Sequence, residues 1–157
     1  MEKRGLLVIA LAMLVAGFGG LFITSTSLSV GPSPLGGFTS NGQRIFFTAT
    51  DSSGRPILYR GGMMMRMACA NCHGPDGQGL RTPMFVSPNI TYQNLTSPEG
   101  MLEPDGGRGH TYTDETIKRA ITQGVDPAGE PLQWPMPRWR MSERDLDDLI
   151  AFLKTLP

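Results

Sequence analysis

Three stretches of the chain carry a clear hydrophobic rhythm. The first is a continuous apolar run from Leu6 to Ile23, 18 residues without a charge, just long enough to span a bilayer as a helix. The second covers 113–124. Ile117, Ala120 and Ile121 recur at i, i+3 and i+4, one face of a helix. Thr113 suits the N-cap, Asp114 and Glu115 suit the positive helix end, and Gly124 suits the position just past the last turn. The third covers 142–153, where Leu146, Leu149, Ile150 and Leu153 form an i, i+3, i+4, i+7 stripe flanked by Phe152. Ser142 is its N-cap and Asp145 stands at the capping-box position.

Elsewhere the pattern is broken. Residues 24–41 are rich in Ser, Thr, Gly and Pro and read as a flexible linker. Ile45 to Thr50 are mostly β-formers, Asp51-Ser52-Ser53-Gly54 is a turn signal, and 55–60 can return as a second strand. Local propensity alone leaves 42–60 open between a hairpin and a helix followed by a loop. Beyond residue 74, Pro83 and Pro88 punctuate an extended, glycine-rich stretch.

The N-terminus fixes an expected address. Lys3 and Arg4 precede the apolar run, the arrangement of an export signal that keeps the start of the chain in the cytoplasm and sends the rest outward. No Ala-x-Ala site follows the run, and no cysteine stands there to take a lipid. The reading favoured is an uncleaved membrane helix over residues 1–23, with the domain from residue 42 to 157 on the periplasmic side. The alternative is cleavage near Gly17-Phe18-Gly19 or Ser25-Thr26-Ser27, giving a soluble periplasmic domain. Beyond residue 30 the chain holds 12 basic and 13 acidic side chains, a net charge of −1, so no nucleic-acid partner is expected.

The candidate chemistry sits in Cys69-Ala70-Asn71-Cys72-His73, which uses both cysteines of the chain. A Cys-x-x-Cys-His run is the signature of covalent haem attachment: the thiols add across the two vinyl groups and leave the imidazole within reach of the iron. Two other readings use the same residues. A zinc site needs four ligands, and the only other histidine is His110, so the set would be Cys69, Cys72, His73 and His110, at a spacing unlike that of paired ligands. A dithiol redox pair calls for a βαβ setting, which the Gly- and Pro-rich surroundings do not offer. Met63, Met64, Met65 and Met67 read either as soft ligands for Cu(I) or as flexible packing beside a haem.

Two further stretches bear on a haem. Ser87-Pro88-Asn89-Ile90 can set a backbone carbonyl against the His73 imidazole, which would fix the ring and strengthen it as a ligand. Phe85, Ile90, Leu95 and Leu102 are candidates for an apolar wall. In Trp134-Pro135-Met136-Pro137-Arg138-Trp139 a methionine is held between two prolines on a stiff backbone, where its thioether could reach the far face of the iron. Trp134, Arg138 and Trp139 are expected to cover the haem edge and bond a propionate. Met141 and His110 are the competing ligands.

Taken in order, CANCH, the capped helix TDETIKRAITQG, then WPMPRW and the terminal SERDLDDLIAFLKTL resemble the class I, mono-haem bacterial c-type cytochromes over about residues 41–157. The resemblance implies an all-α fold: a few helices wrapped around one haem c, held through Cys69 and Cys72, with His73 as proximal and Met136 as distal ligand. It implies that Gly42 and Phe46 lie on a first helix that meets Phe152 on the last, which favours helix for 42–48. The implied function is electron transfer, non-enzymatic, with redox proteins or a membrane respiratory complex as partners. A haem-based sensor or catalytic subunit with an open sixth site is the alternative. The chain departs from the pattern in the length of 48–68.

Overall fold

A computed structural model describes residues 37–63 and 67–157. The expected membrane helix over 1–23, most of the expected linker, and Met64, Met65 and Arg66 lie outside the described residues. Among the described residues no helix is long and apolar enough to cross a membrane.

Among the described residues five helices and two short strands follow one another: α1 (Asn41–Thr48), β1 (Leu58–Arg60), α2 (Cys69–His73), α3 (Tyr92–Leu95), α4 (Asp114–Gln123), β2 (Arg138–Arg140) and α5 (Glu143–Leu153). The fold is helical, as expected, with one addition. β1 and β2 pair as an antiparallel ribbon in the register Leu58↔Arg140, Tyr59↔Trp139, Arg60↔Arg138.

The crossing of α1 and α5 organises the core. Tertiary contact overrides the β-propensity of Ile45–Phe47 here. The Ser40 side chain caps α1 by accepting from the Gln43 N–H, and Asn41 Nδ2 donates to Asp145 at 3.0 Å and Asp148 at 2.8 Å on α5. Gly42, Ile45 and Phe46, at i, i+3 and i+4, are buried against that helix. A Cβ on Gly42 would lie inside the Asp148 carbonyl and 2.8 Å from the Phe152 Cβ, so only glycine lets the backbones come this close. The Phe46 and Phe152 rings sit 5.2 Å apart.

After α1 the chain turns through Asp51, whose carboxylate accepts from the Ser53 and Arg55 N–H groups, both at 2.9 Å. The returning segment pairs with the outgoing one around a single bridge, Thr50–Pro56, flanked by the Ile57 N–H to Ala49 carbonyl bond at 2.9 Å. It then leaves to pair with β2, so 45–60 is not a hairpin.

The two long helices at the C-terminal side begin and end where their caps place them. Thr113 caps α4, Gly124 closes it with φ 71°, and Ser142 caps α5. Their apolar stripes, Ile117, Ala120 and Ile121 with Leu146, Leu149, Ile150 and Leu153, are all buried. Asp114 joins three elements: it accepts from the Tyr92 hydroxyl on α3 at 2.8 Å and from Lys154 beyond α5 at 2.9 Å.

Candidate functional site

Cys69 and Cys72 lie three apart on α2, which puts both thiols on one face. This single turn is held at its start by Asn71 Oδ1, which accepts from the Ala68 N–H at 2.7 Å. It ends at Gly74, whose φ of 81° no other residue adopts easily. His73, the last residue of the turn, is buried at 8% exposure.

The loop that follows folds back on the histidine. Gly79 N–H donates to the His73 carbonyl at 2.8 Å and Ile90 N–H to the Gly77 carbonyl at 2.7 Å. The Ser87 hydroxyl donates to the Cys72 carbonyl. A Cβ on Gly79 would lie 2.5 Å from the Ser87 oxygen and 2.9 Å from the Pro88 carbonyl carbon; the bare glycine allows that approach. The result is a 3.0 Å contact between His73 Nδ1 and the Pro88 carbonyl. A carbonyl only accepts, so Nδ1 carries the proton and the lone pair stays on Nε2. Burial draws the imidazole pKa below its ordinary value, and the Pro88 carbonyl opposes part of that.

Both cysteines and His73 line a cavity of about 380 Å³. Its remaining walls come from every side of the fold: Phe46 of α1, Ile117, Ala120 and Ile121 of α4, Leu149 and Leu153 of α5, and Met136 and Trp139 of the segment before α5. Burial pushes the Cys69 thiol up to about 12 and raises that of Cys72. His110 does not line the cavity; its Nε2 lies 3.4 Å from Asp126. Among the described residues no group of three or more His, Cys, Asp or Glu side chains could hold a metal ion.

A family model described as Cytochrome c matches residues 40–157. The chain belongs to the cytochrome c family. No curated protein and no solved structure matches it. As a c-type cytochrome it carries haem c, bound covalently through Cys69 and Cys72. The cavity fits that group: an apolar slot with two thiols on one face of α2, next to an imidazole whose Nε2 is free to bind a metal.

The cytochrome's other expected site residues divide. Pro88, Ile90, Met136 and Trp139 line the cavity, as do Phe85 and Leu95; Met141 does not. Trp134 lies outside it at 70% exposure, although its neighbours Gln133 and Pro135 both line the cavity. Leu102 also lies outside, 48% exposed on the turn bridged by Leu102 and Arg108. Arg138, expected on a propionate, is committed elsewhere. Its guanidinium donates to the carbonyls of Leu132 at 2.8 Å, Gly124 at 3.3 Å and Met136. It ties the end of α4 to the methionine loop.

Tyr59, Met101 and Glu103 are among the cavity residues that escaped the sequence reading. Tyr59 faces Trp139 across the ribbon, ring centroids 5.0 Å apart. Met101 is a buried wall residue. Glu103 also lines the cavity, its carboxyl raised by burial and by Asp105 and partly lowered by His110. No periodic signal marks any of them, since each lies in a short turn or strand. Met63 and Met67, at the edges of the methionine cluster, line the cavity as well, the packing role considered for them.

Proposed function

We propose that this cytochrome is a one-electron carrier whose iron is closed on both faces, by His73 and by Met136. The haem supplies the one-electron couple when bound. The observation that carries this reading is that His73 and Met136 line the same cavity while Met141 and His110 do not.

The chain's own residues have clear parts in it. The Pro88 carbonyl holds His73 in the tautomer that offers Nε2 and makes it a stronger donor. Pro135 and Pro137 restrict the backbone on either side of Met136. The Arg138 guanidinium fastens that loop to the end of α4. With Met136 and His73 as its ligands, a soft thioether and an imidazole would favour the reduced state relative to harder ligands. The apolar walls would shield a bound haem from much of the solvent, which would lower the reorganisation needed for electron transfer. The basic start before the Leu6–Ile23 run supports a domain on the extracytoplasmic side, tethered by an N-terminal membrane helix. Its partners would be redox proteins or a membrane respiratory complex.

Carbon monoxide tests the closed site. The reduced, haem-loaded protein is expected not to bind it on mixing, because both axial positions are filled. Rapid binding would establish an open sixth position and a sensing or catalytic role.

A further inference from the structure

The segment 48–68, longer than the resemblance leads one to expect, reaches the methionine loop at three points. β1 pairs with β2, which starts two residues after Met136. Tyr59 is directly opposite Trp139 in that ladder, on the face turned to the cavity, with the rings 5.0 Å apart and tilted 54°. Gly62 packs on Pro137: a Cβ built there would lie 3.0 Å from the Pro137 Cβ and 3.2 Å from its Cα and N. Leu58 and Arg60, the alternate positions, are exposed, so the contact is made by the backbone and Tyr59.

We propose that residues 57–62 form a strap that holds the Met136 loop in place, with Tyr59 and Gly62 as positioning residues for the distal methionine. The proposal rests on Met136 being the distal ligand. Arg138 restrains the same loop from the α4 side, and the strap restrains it from the other. The strap is itself anchored at its base, where Ile57 is buried and its N–H donates to the Ala49 carbonyl at 2.9 Å. Dissociation of Met136 from iron requires the loop to swing outward. The strap opposes that movement, so it governs how often the sixth position opens.

The test is the rate at which imidazole binds the ferric, haem-loaded protein, since an added ligand enters only when the methionine leaves. Tyr59→Ala is expected to speed binding about tenfold, the size of effect expected when an aromatic pair is lost, and Tyr59→Phe to restore the wild-type rate. Gly62→Ala, which presses on Pro137, is expected to speed it too. Gly54→Ala is the control: it lies in the same segment with a similar positive φ of 75° and nothing within 4 Å of an added Cβ, and should leave the rate unchanged. Met136→Ala is measured beside them. If it binds imidazole no faster than wild type, the ligand assignment fails. If it binds faster while Tyr59→Ala and Gly62→Ala match wild type, the assignment stands and the strap is overturned. Equal acceleration by Gly54→Ala would also overturn it, showing only a general loosening.

Discussion

Gly79 shows how much one missing Cβ decides. It lets the Ser87–Pro88 backbone close over α2, and that closure sets the acceptor on His73 Nδ1. Gly79→Ala would add both a left-handed strain, at φ 87°, and a clash, together costing about 1–3 kcal/mol. A denaturant titration would measure this. The imidazole would also lose the acceptor that increases its donation to iron, so the reduction potential is expected to rise; a fall would contradict the role given to Pro88. Glu103 makes a second residue-level prediction. Its carboxyl lines the cavity among the titratable neighbours Asp105, His110 and Tyr112, and its pKa lies above the ordinary 4.5. Ionisation places a negative charge near the iron and favours the ferric form. The potential should therefore fall as pH rises through that raised value, and Glu103→Gln should flatten this part of the potential–pH curve. Neither residue stood out in the sequence. Gly79 was one glycine in a glycine-rich loop, and Glu103 sat in a turn with no pattern to mark it.

Among the elements, the helices with complete caps were legible and the pairing of the strands was not. Thr113, Gly124 and Ser142 set the ends of α4 and α5 by local chemistry alone, so sequence reasoning reached them. α1 needed α5 to become a helix, and only the likeness of Gly42, Phe46 and Phe152 to a known pattern gave it away. β1 and β2 are three residues each, and Tyr59 and Trp139 lie 80 residues apart; no window of sequence contains such a pairing. The carbonyl bonds of Arg138 were hidden for the same reason, since its partner Gly124 belongs to another element. Phe46→Ala, which empties the centre of the α1–α5 crossing, is expected to cost about 3–5 kcal/mol in a denaturant melt. A loss under 1 kcal/mol would mean the crossing is not the core. The turn that launches the strap should respond to acid. The Arg55 backbone N–H, followed by other donors, holds the Asp51 carboxyl below its ordinary 3.8 despite an opposing desolvation. Its stabilising effect is therefore present above about 3.8 and is lost as pH falls through the depressed folded value. Amide exchange at Ser53 and Arg55 should accelerate over that acid range, and Asp51→Asn should show the faster exchange already at neutral pH.

At the scale of the whole molecule, the core and the haem cavity are one structure. Phe46, Ile117, Ala120, Ile121, Trp139, Leu149 and Leu153 are at once the buried core and the cavity wall. An unfilled space of about 380 Å³ would cost about 9 kcal/mol at ~24 cal/mol per Å³, an upper bound because the cavity mouth admits water. That is comparable with the entire stability of a small domain, about 5–15 kcal/mol. The Cys69→Ser, Cys72→Ser chain, grown without attached haem, should therefore show little cooperative unfolding by circular dichroism, whereas the haem-loaded chain should unfold in one transition. Closure of the iron by Met136 is what separates an electron carrier from a haem protein with an open sixth site. The direct measurement is the ferric absorption spectrum of the haem-loaded Met136→Ala protein beside wild type. Wild type should show the methionine–iron charge-transfer band, and Met136→Ala should lack it and have a lower reduction potential, while Met63→Ala, Met67→Ala and Met141→Ala keep both. Persistence of the band in Met136→Ala, or its loss in one of the other three, would contradict the assignment on which the closed, electron-carrying site depends.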